Sequence, residues 1–397
     1  MKKDDTQDVL LSEAEETVSA AEKMNMKVCR RFLAKMICSV WFWLILLCPL
    51  SFVLTGIMKH YPEAAEFYWR YIYRYISVFG NNLTGWLPFS LAEILLVILS
   101  VSVILYLIFS VTAVIRRKGK RLTVLMMALV RLIAAGCVVF FLFVLNCGLN
   151  YYSPDVSTLT GWEKIQPTTQ QLYEVCMHLA NQASYYREKL PENADGTLFV
   201  DISGTAQKAK DAVNGLHRTC SFVADGYSAP KSVILSRGMS FLKVTGVYFP
   251  WTFEANVNTN VPGISIPFTM CHELMHVRGF MHEEDANFLA YLACIDSGDD
   301  ILRYAGYTTA LEYLARYLRR ADNGLYKEVL AHISEAVQRD MAAESQYWKQ
   351  FETPIAEAAV KVNDAYLKQN NQSAGVLSYS KMAELVITHY FITRYSR

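Results

Sequence analysis

Charge is scarce in this chain. Asp, Glu, Lys and Arg make up 19% of its 397 residues, and the 38 basic and 37 acidic side chains nearly cancel. Soluble domains carry about a quarter charged residues. With no basic excess, the chain lacks the electrostatic footprint of a nucleic-acid-binding protein, and no nucleic-acid partner is expected. Nine cysteines are present but no CxxC pair, which disfavours a structural zinc ribbon. Internal repeats and low-complexity tracts are missing as well. Against these shortages stand 13% aromatic and 53% hydrophobic residues, which exclude disorder. So large an apolar excess with so little charge is expected to be housed in lipid.

The apolar residues are concentrated in the first 150 positions. The run from Met36 to Met58 contains no charge, and at about 1.5 Å per residue it can cross a hydrocarbon core roughly 30 Å thick. A second run, 87–115, carries Glu93 near its start, and a third, 122–149, carries Arg131. Three transmembrane helices are therefore expected. Glu93 and Arg131 fall at different depths, so each is expected to snorkel or to pack against a neighbouring span rather than to pair. Lys23, Lys27, Arg30, Arg31 and Lys35 precede the first run, and Arg116-Arg117-Lys118-Gly119-Lys120-Arg121 joins the second to the third. Basic residues stay on the cytoplasmic side, so the chain divides into a cytoplasmic segment 1–35, a three-span region 36–150 in the plasma membrane and an extracytoplasmic domain 151–397. The loop Lys59–Trp86 then faces outward, and its FYWRYIYRY suits an interfacial aromatic belt or a short surface helix. No cleavable signal peptide is expected, because about 35 polar residues precede an apolar run too long for an h-region.

From Tyr151 onward the fold class reads as α+β. Pro167 to Leu190 reads as a helix capped by Thr168 or Thr169, and Gly204 to Ala224 as another. Between Ser232 and Asn258, β-branched and aromatic residues broken by Gly238, Gly246 and Pro250 predict a small sheet. Helices dominate from Pro267 to the end. Four cysteines, Cys176, Cys220, Cys271 and Cys294, lie in this region, and one disulfide among them is possible without the sequence pairing them.

The specific chemical signal is His272-Glu273-Leu274-Met275-His276. On a helix, histidines four apart project from one face and can share a zinc ion, with Glu273 beside the open position to take a proton from water. Gly279 is a natural terminator for that helix. A catalytic zinc needs a third protein ligand. His282 completes the metzincin spacing HExxHxxGxxH, while Glu283 and Glu284 open a second helix as the third ligand of gluzincins does. An apolar-periodic helix follows at once and no Met-turn is evident, which favours Glu283 over His282 and Glu284. Asn287, one turn on, is placed to orient a ligand from behind.

The blocks YFPWTFEANVN (Tyr248 to Asn258), PFTMCHELMHVRGFMHEEDANFLAYLAC (Pro267 to Cys294) and VNDAYLKQNNQSAGVLSYSKMAELV (Val362 to Val386), behind three apolar runs, resemble the bacterial domain-of-unknown-function family numbered 3810. That resemblance implies a membrane-anchored, gluzincin-like metallopeptidase with a zincin-like outer domain. Its usual pattern, close to HExxHxRGxxxEDEANFLAYLAC, maps onto His272, Glu273, His276 and Glu283. His282 falls where the family often carries a non-ligating Arg. This chain has Val277 where Gln is common and Glu284-Asp285 where Asp-Glu is common, and both leave the expected ligands in place.

Further roles follow from zinc-hydrolase chemistry. A peptide or protein substrate can add as a strand to a sheet edge, and Phe253 to Val257 is the segment expected to offer it through Glu254, Ala255 and Asn256. Tyr379, with His389 or Tyr390 further on, is a candidate donor to a developing oxyanion. His178, His217 and His332 have no spacing partner and read as ordinary surface or packed residues. The expected partners are thus a peptide or protein substrate and the lipid bilayer, and the expected cofactor is Zn2+. Two rivals differ in class: a non-catalytic metal-binding sensor or scaffold, and a transporter, for which three spans with one acid and one Arg make a poor ion path.

Overall fold

The computed structural model describes residue 34, residues 37–372 and residues 381–395. The basic residues ahead of the first apolar run, the start of that run at Met36, and Tyr379 lie outside the described residues. The fold is mostly helical with one small sheet.

Three helices are long and apolar enough to cross a membrane: α1 (Val40–His60), α4 (Leu91–Arg116) and α5 (Lys118–Asn146), with mean hydropathies of 2.2, 2.9 and 2.7 over their most apolar stretches. The third ends at Asn146 rather than near residue 149, because the chain tightens into a buried 3-10 turn, Gly148–Tyr152. Two compact units divide the chain. One comprises the residues through Val53 with Leu99–Leu142; the other comprises Leu54–Ile98 with Phe143–Arg397.

The second unit holds everything of chemical interest. It contains α2 (Pro62–Phe67), a π-helical stretch Tyr68–Tyr73 and α3 (Arg74–Gly85). After α5 come α6 (Thr169–Arg187) and α7 (Ile202–Gly215). The Thr168 hydroxyl accepts from Gln171 N while the Gln171 side chain accepts from Thr168 N, so a capping box starts α6 where the sequence placed its cap. The sheet has strands β1 (Lys231–Ser232), β2 (Gly246–Phe249) and β3 (Glu254–Val257) in the order β1-β3-β2. β1 runs parallel to β3, and β2 antiparallel to it with Gly246 opposite Val257 and Phe249 opposite Glu254. Against the sheet lies α8 (Ile266–Val277), followed by α9 (Glu283–Asp296), α10 (Asp300–Ala321), α11 (Asn323–His332), α12 (Glu335–Lys349), α13 (Pro354–Gln369) and α14 (Met382–Tyr395). α8 packs on β2, β3, α7 and α9, and eleven of its twelve residues are buried.

Three expectations are corrected. β3 is the central strand, paired along its length by β2 and at Asn256 and Val257 by β1, and Glu254, Ala255 and Asn256 are all buried within the sheet rather than presented on its edge. The Glu254 carboxylate is buried in an ion pair with Lys231 and accepts from the backbone N–H of Leu91 (3.2 Å) and Ala92 (2.8 Å), closing the start of α4. Glu93, expected to snorkel or to pack against a span, accepts from the N–H groups of Ile234 (3.0 Å) and Leu235 (2.7 Å). Those two residues form a turn, although they lie in the stretch from Ser232 onward where the sequence predicts sheet. Cys176, Cys220, Cys271 and Cys294 are free thiols, with the side chains of Cys271 and Cys294 in contact between α8 and α9.

Candidate metal centre

The centre is assembled from two consecutive helices and the turn between them. Arg278 caps the end of α8 and Gly279 follows at φ +91°. Gly279 N–H donates to His276 O and Phe280 N–H to Met275 O, the two bonds of a Schellman turn. Glycine is required twice over, since a Cβ there would also meet Trp69 and Tyr73 within 2.9 Å. The turn returns the Phe280 carbonyl to His276, whose Nδ1–H donates to it at 2.8 Å. That bond orients the ring and, whenever the imidazole is neutral, sets the tautomer with its lone pair on Nε2 facing inward.

His272, one turn earlier, presents its ring beside that of His276, and Glu283 reaches back from the first turn of α9. Glu283 Oε2 lies 3.4 Å from His272 Nε2 and 3.6 Å from His276 Nε2, and the three donor atoms fall within 4.8 Å of one another. Tetrahedral bonds of about 2.0–2.1 Å set neighbouring donors roughly 3.3–3.4 Å apart, so the spacing fits a zinc-sized cation. Glu283 Oε2 is buried, and the two imidazoles are its polar neighbours among the described residues. A soft and hard donor mixture of two imidazoles and one carboxylate suits zinc as well.

The electrostatics point the same way. Burial alone raises the Glu283 carboxyl, but His276 and His272 outweigh it and hold the group well below the usual carboxylate range. Burial opposes charge on His276 too, yet Glu283 and then Glu273 carry its pKa up to about 9. Glu273 is raised, mainly by burial, with the two imidazoles opposing. Its Oε2 has no partner among the described residues, and the backbone N–H of Tyr248 in β2 donates to the carboxylate. A base poised above the ordinary carboxylate range is better matched to proton transfer near neutral pH.

The other expected residues fall elsewhere. His282 caps the start of α9 and donates from Nε2 to Tyr151 O at 3.0 Å. With Glu284 it lines a charged cleft shared with Glu63, Asp155 and Lys164. Asn287 is buried one turn beyond Glu283, its Nδ2 without a partner among the described residues. His389 sits among the rings of Trp162, Phe288 and Tyr291, where burial lowers its pKa to about 4, and Tyr390 OH donates to Glu174. His178 lies against the rings of Tyr307 and Tyr390, His217 donates to Val223 O, and His332 pairs with Asn181.

Residues not anticipated from the sequence support the centre from behind. Trp69 Nε1–H donates to Arg278 O (3.1 Å) and Tyr73 OH to Val277 O (3.0 Å), so the π-helical stretch holds the end of α8. The Arg278 guanidinium, buried, donates to Ala224 O, Leu274 O and Asn214 Oδ1. Gly246 in β2 is the second unanticipated contributor, because its bare Cα lets Glu273 lie against the strand. A glycine inside a strand is the available signal of such an approach.

A family model described as protein of unknown function (DUF3810) matches residues 68–387, which contains the whole centre. The chain belongs to DUF3810. Neither a curated protein nor a solved structure matches this DUF3810 chain.

Proposed function

We propose that this DUF3810 chain is a membrane-anchored zinc peptidase, with α1, α4 and α5 in the plasma membrane, the amino terminus inside and the metal centre outside. The observation carrying the reading is the spacing of His272 Nε2, His276 Nε2 and Glu283 Oε2 with the unpartnered Glu273 Oε2 alongside. A zinc ion held there supplies Lewis acidity toward a scissile carbonyl and acidifies water. Glu273 takes the proton from the attacking water and hands it to the leaving amine. His276 is kept in register by Phe280 O, and Glu283 supplies the negative charge that the site needs.

The substrate strand belongs on β2. Asn258 N–H donates to Thr245 O, so the antiparallel alternation makes Val247 and Phe249 the paired positions and turns Gly246 and Tyr248 outward. Tyr248 N–H faces Glu273, so this edge runs beside the reacting groups. An extended peptide adding there places its carbonyl near the centre.

Exposed apolar side chains on the three helices, among them Val101, Phe109 and Leu122, favour a lipid surround. The deciding experiment compares purified wild type with Glu273→Gln and His272→Ala for zinc content and for hydrolysis of an unfolded protein. Zinc retained with hydrolysis abolished in Glu273→Gln, and zinc lost in His272→Ala, is the expected result. Zinc retained by all three overturns the ligand set. A Glu273→Gln variant indistinguishable from wild type in function, and a wild type without hydrolysis, transfer the centre to a sensor or scaffold.

A further inference from the structure

The helical stretch between α1 and α4 has two unlike faces. Inward, Trp69 and Tyr73 bond the end of α8, Ser77 OH meets Tyr227 OH at 2.8 Å, and Asn81 Nδ2–H donates to Phe253 O at 2.8 Å. Outward, Phe67, Tyr71, Tyr75, Phe79, Leu83 and Trp86 recur every three or four residues and stand exposed, Phe79 at 71% and Trp86 at 76%. Six large apolar or aromatic side chains in one exposed line are not what water favours.

Connectivity says what covers them. A single residue separates the end of α1 at His60 from Pro62, which opens α2, and five residues separate the end of α3 at Gly85 from Leu91, which opens α4. Helices that both cross a bilayer bring these two ends to the same face of it, and the stretch between must then lie along that face. Tyr and Trp with apolar neighbours on one side of a helix are the chemistry of the headgroup and acyl boundary. A second element arrives at the same level from a different part of the chain. Glu93, in the first turn of α4, holds the backbone N–H groups of Ile234 and Leu235, whose side chains are 84% and 61% exposed.

We infer that the line Phe67-Tyr71-Tyr75-Phe79-Leu83-Trp86 and the Ile234–Leu235 loop form one docking surface for the lipid bilayer, by which the unit bearing the metal centre rests on the membrane. The inference depends on α1, α4 and α5 spanning that membrane, as proposed above. It goes further in giving the water-exposed unit a lipid contact of its own. The same helical stretch that meets lipid on one side carries the end of the metal helix on the other.

The test reconstitutes the full chain in phosphatidylcholine vesicles doped with a phosphatidylcholine that bears a photoreactive diazirine close to its headgroup. Irradiation is followed by mapping of lipid adducts by mass spectrometry. Adducts in residues 67–86 and 232–236, together with those in α4, are expected. Phe79→Asp and Ile234→Asp, both remote from the metal ligands, are expected to lower the yield in their own peptides severalfold. Adducts confined to α1, α4 and α5 overturn the docking surface and leave the membrane reading intact. Absence of adducts from those three helices as well overturns both.

Discussion

Gly246 lies against Glu273 so closely that a Cβ on the glycine would stand 2.5 Å from Oε1 and 2.6 Å from Cγ of the glutamate. Real side-chain carbons do not approach that near, and Thr269 Cγ2, 2.7 Å from the same point, blocks a sideways escape. Gly246→Ala must therefore push Glu273 away from β2 while leaving His272, His276 and Glu283 in place. Misplacing a general base by about 1 Å costs on the order of a hundredfold in rate. The expected outcome is zinc content equal to wild type with kcat/KM for a quenched fluorescent peptide lower by that order. A variant that loses its zinc, or one that keeps full activity, contradicts the packing described.

The ligand set makes its own forecast. Glu283→Ala removes one donor and the charge that balances the centre, and zinc affinity is expected to fall by roughly a hundredfold or more. His282→Ala leaves the donors untouched, because that ring is engaged with Tyr151 O, and affinity is expected to stay within about twofold of wild type. Competition against a colorimetric chelator reads both. Strong weakening in His282→Ala with none in Glu283→Ala would return the third-ligand role to the histidine.

Gly279→Ala acts on orientation. It places a side chain at φ +91° and drives a methyl into Trp69 and Tyr73, so the turn that brings Phe280 O to His276 Nδ1 cannot close as it stands. A loss of at least 1 kcal/mol in unfolding free energy, as an order-of-magnitude figure for strain at such a position, is expected together with weaker zinc binding. Denaturant titration with and without chelator separates the two effects. Unchanged zinc affinity at unchanged stability would show that the turn does not position the histidine.

How far the sequence foretold this arrangement depended on whether the information was local. The spacing of His272 and His276, the terminator Gly279 and the acid opening α9 all lie within a dozen residues, and the structure brings His272, His276 and Glu283 together. Thr168 as the cap of α6 is local too. Strand order is not. Nothing between Phe253 and Val257 announces that β1, more than twenty residues earlier, pairs with the far side of β3. Glu254 looked like an edge residue because its partners, Lys231, Leu91 and Ala92, are remote in sequence. Ile234 and Leu235 looked like strand because apolar side chains mark burial in water, whereas these two are exposed. Tyr379 falls outside the described residues.

The correction at Glu254 is itself open to measurement. Its carboxylate is 1% exposed and Lys231 8%, and the ammonium also donates to Thr84 O at 2.8 Å. Removing one partner of a buried ion pair strands the other, at a cost of about 3–5 kcal/mol. Glu254→Gln is therefore expected to lower unfolding free energy by that amount while the folded fraction keeps the wild-type KM. A raised KM at unchanged stability would restore the substrate-binding role that the sequence suggested.

Proton competition gives the last forecast, because the metal-free centre is held by the attraction between His276 and Glu283. The pKa of His276, raised to about 9 against an ordinary 6.5, keeps its Nε2 protonated at neutral pH in the metal-free protein. Zinc binds only the neutral ring, so each ion bound at pH 7 is expected to release close to one proton from this site. The sign for stability follows from the direction of the shift. The ion pair's contribution is fully present below pH 6.5 and is lost as pH rises through 9, whereas Glu283, depressed, keeps its own contribution until pH falls below the ordinary carboxylate range. Zinc affinity should rise by about tenfold per pH unit over the same interval, and at fixed free zinc the stabilisation by metal should grow by about 1.4 kcal/mol per unit. Thermal unfolding at pH 6.5 and 8.5, each with buffered zinc and with chelator, measures the gap directly. A gap that stays constant would mean that no proton leaves when the metal enters, so that the His276 ring is already neutral without metal or is not a ligand.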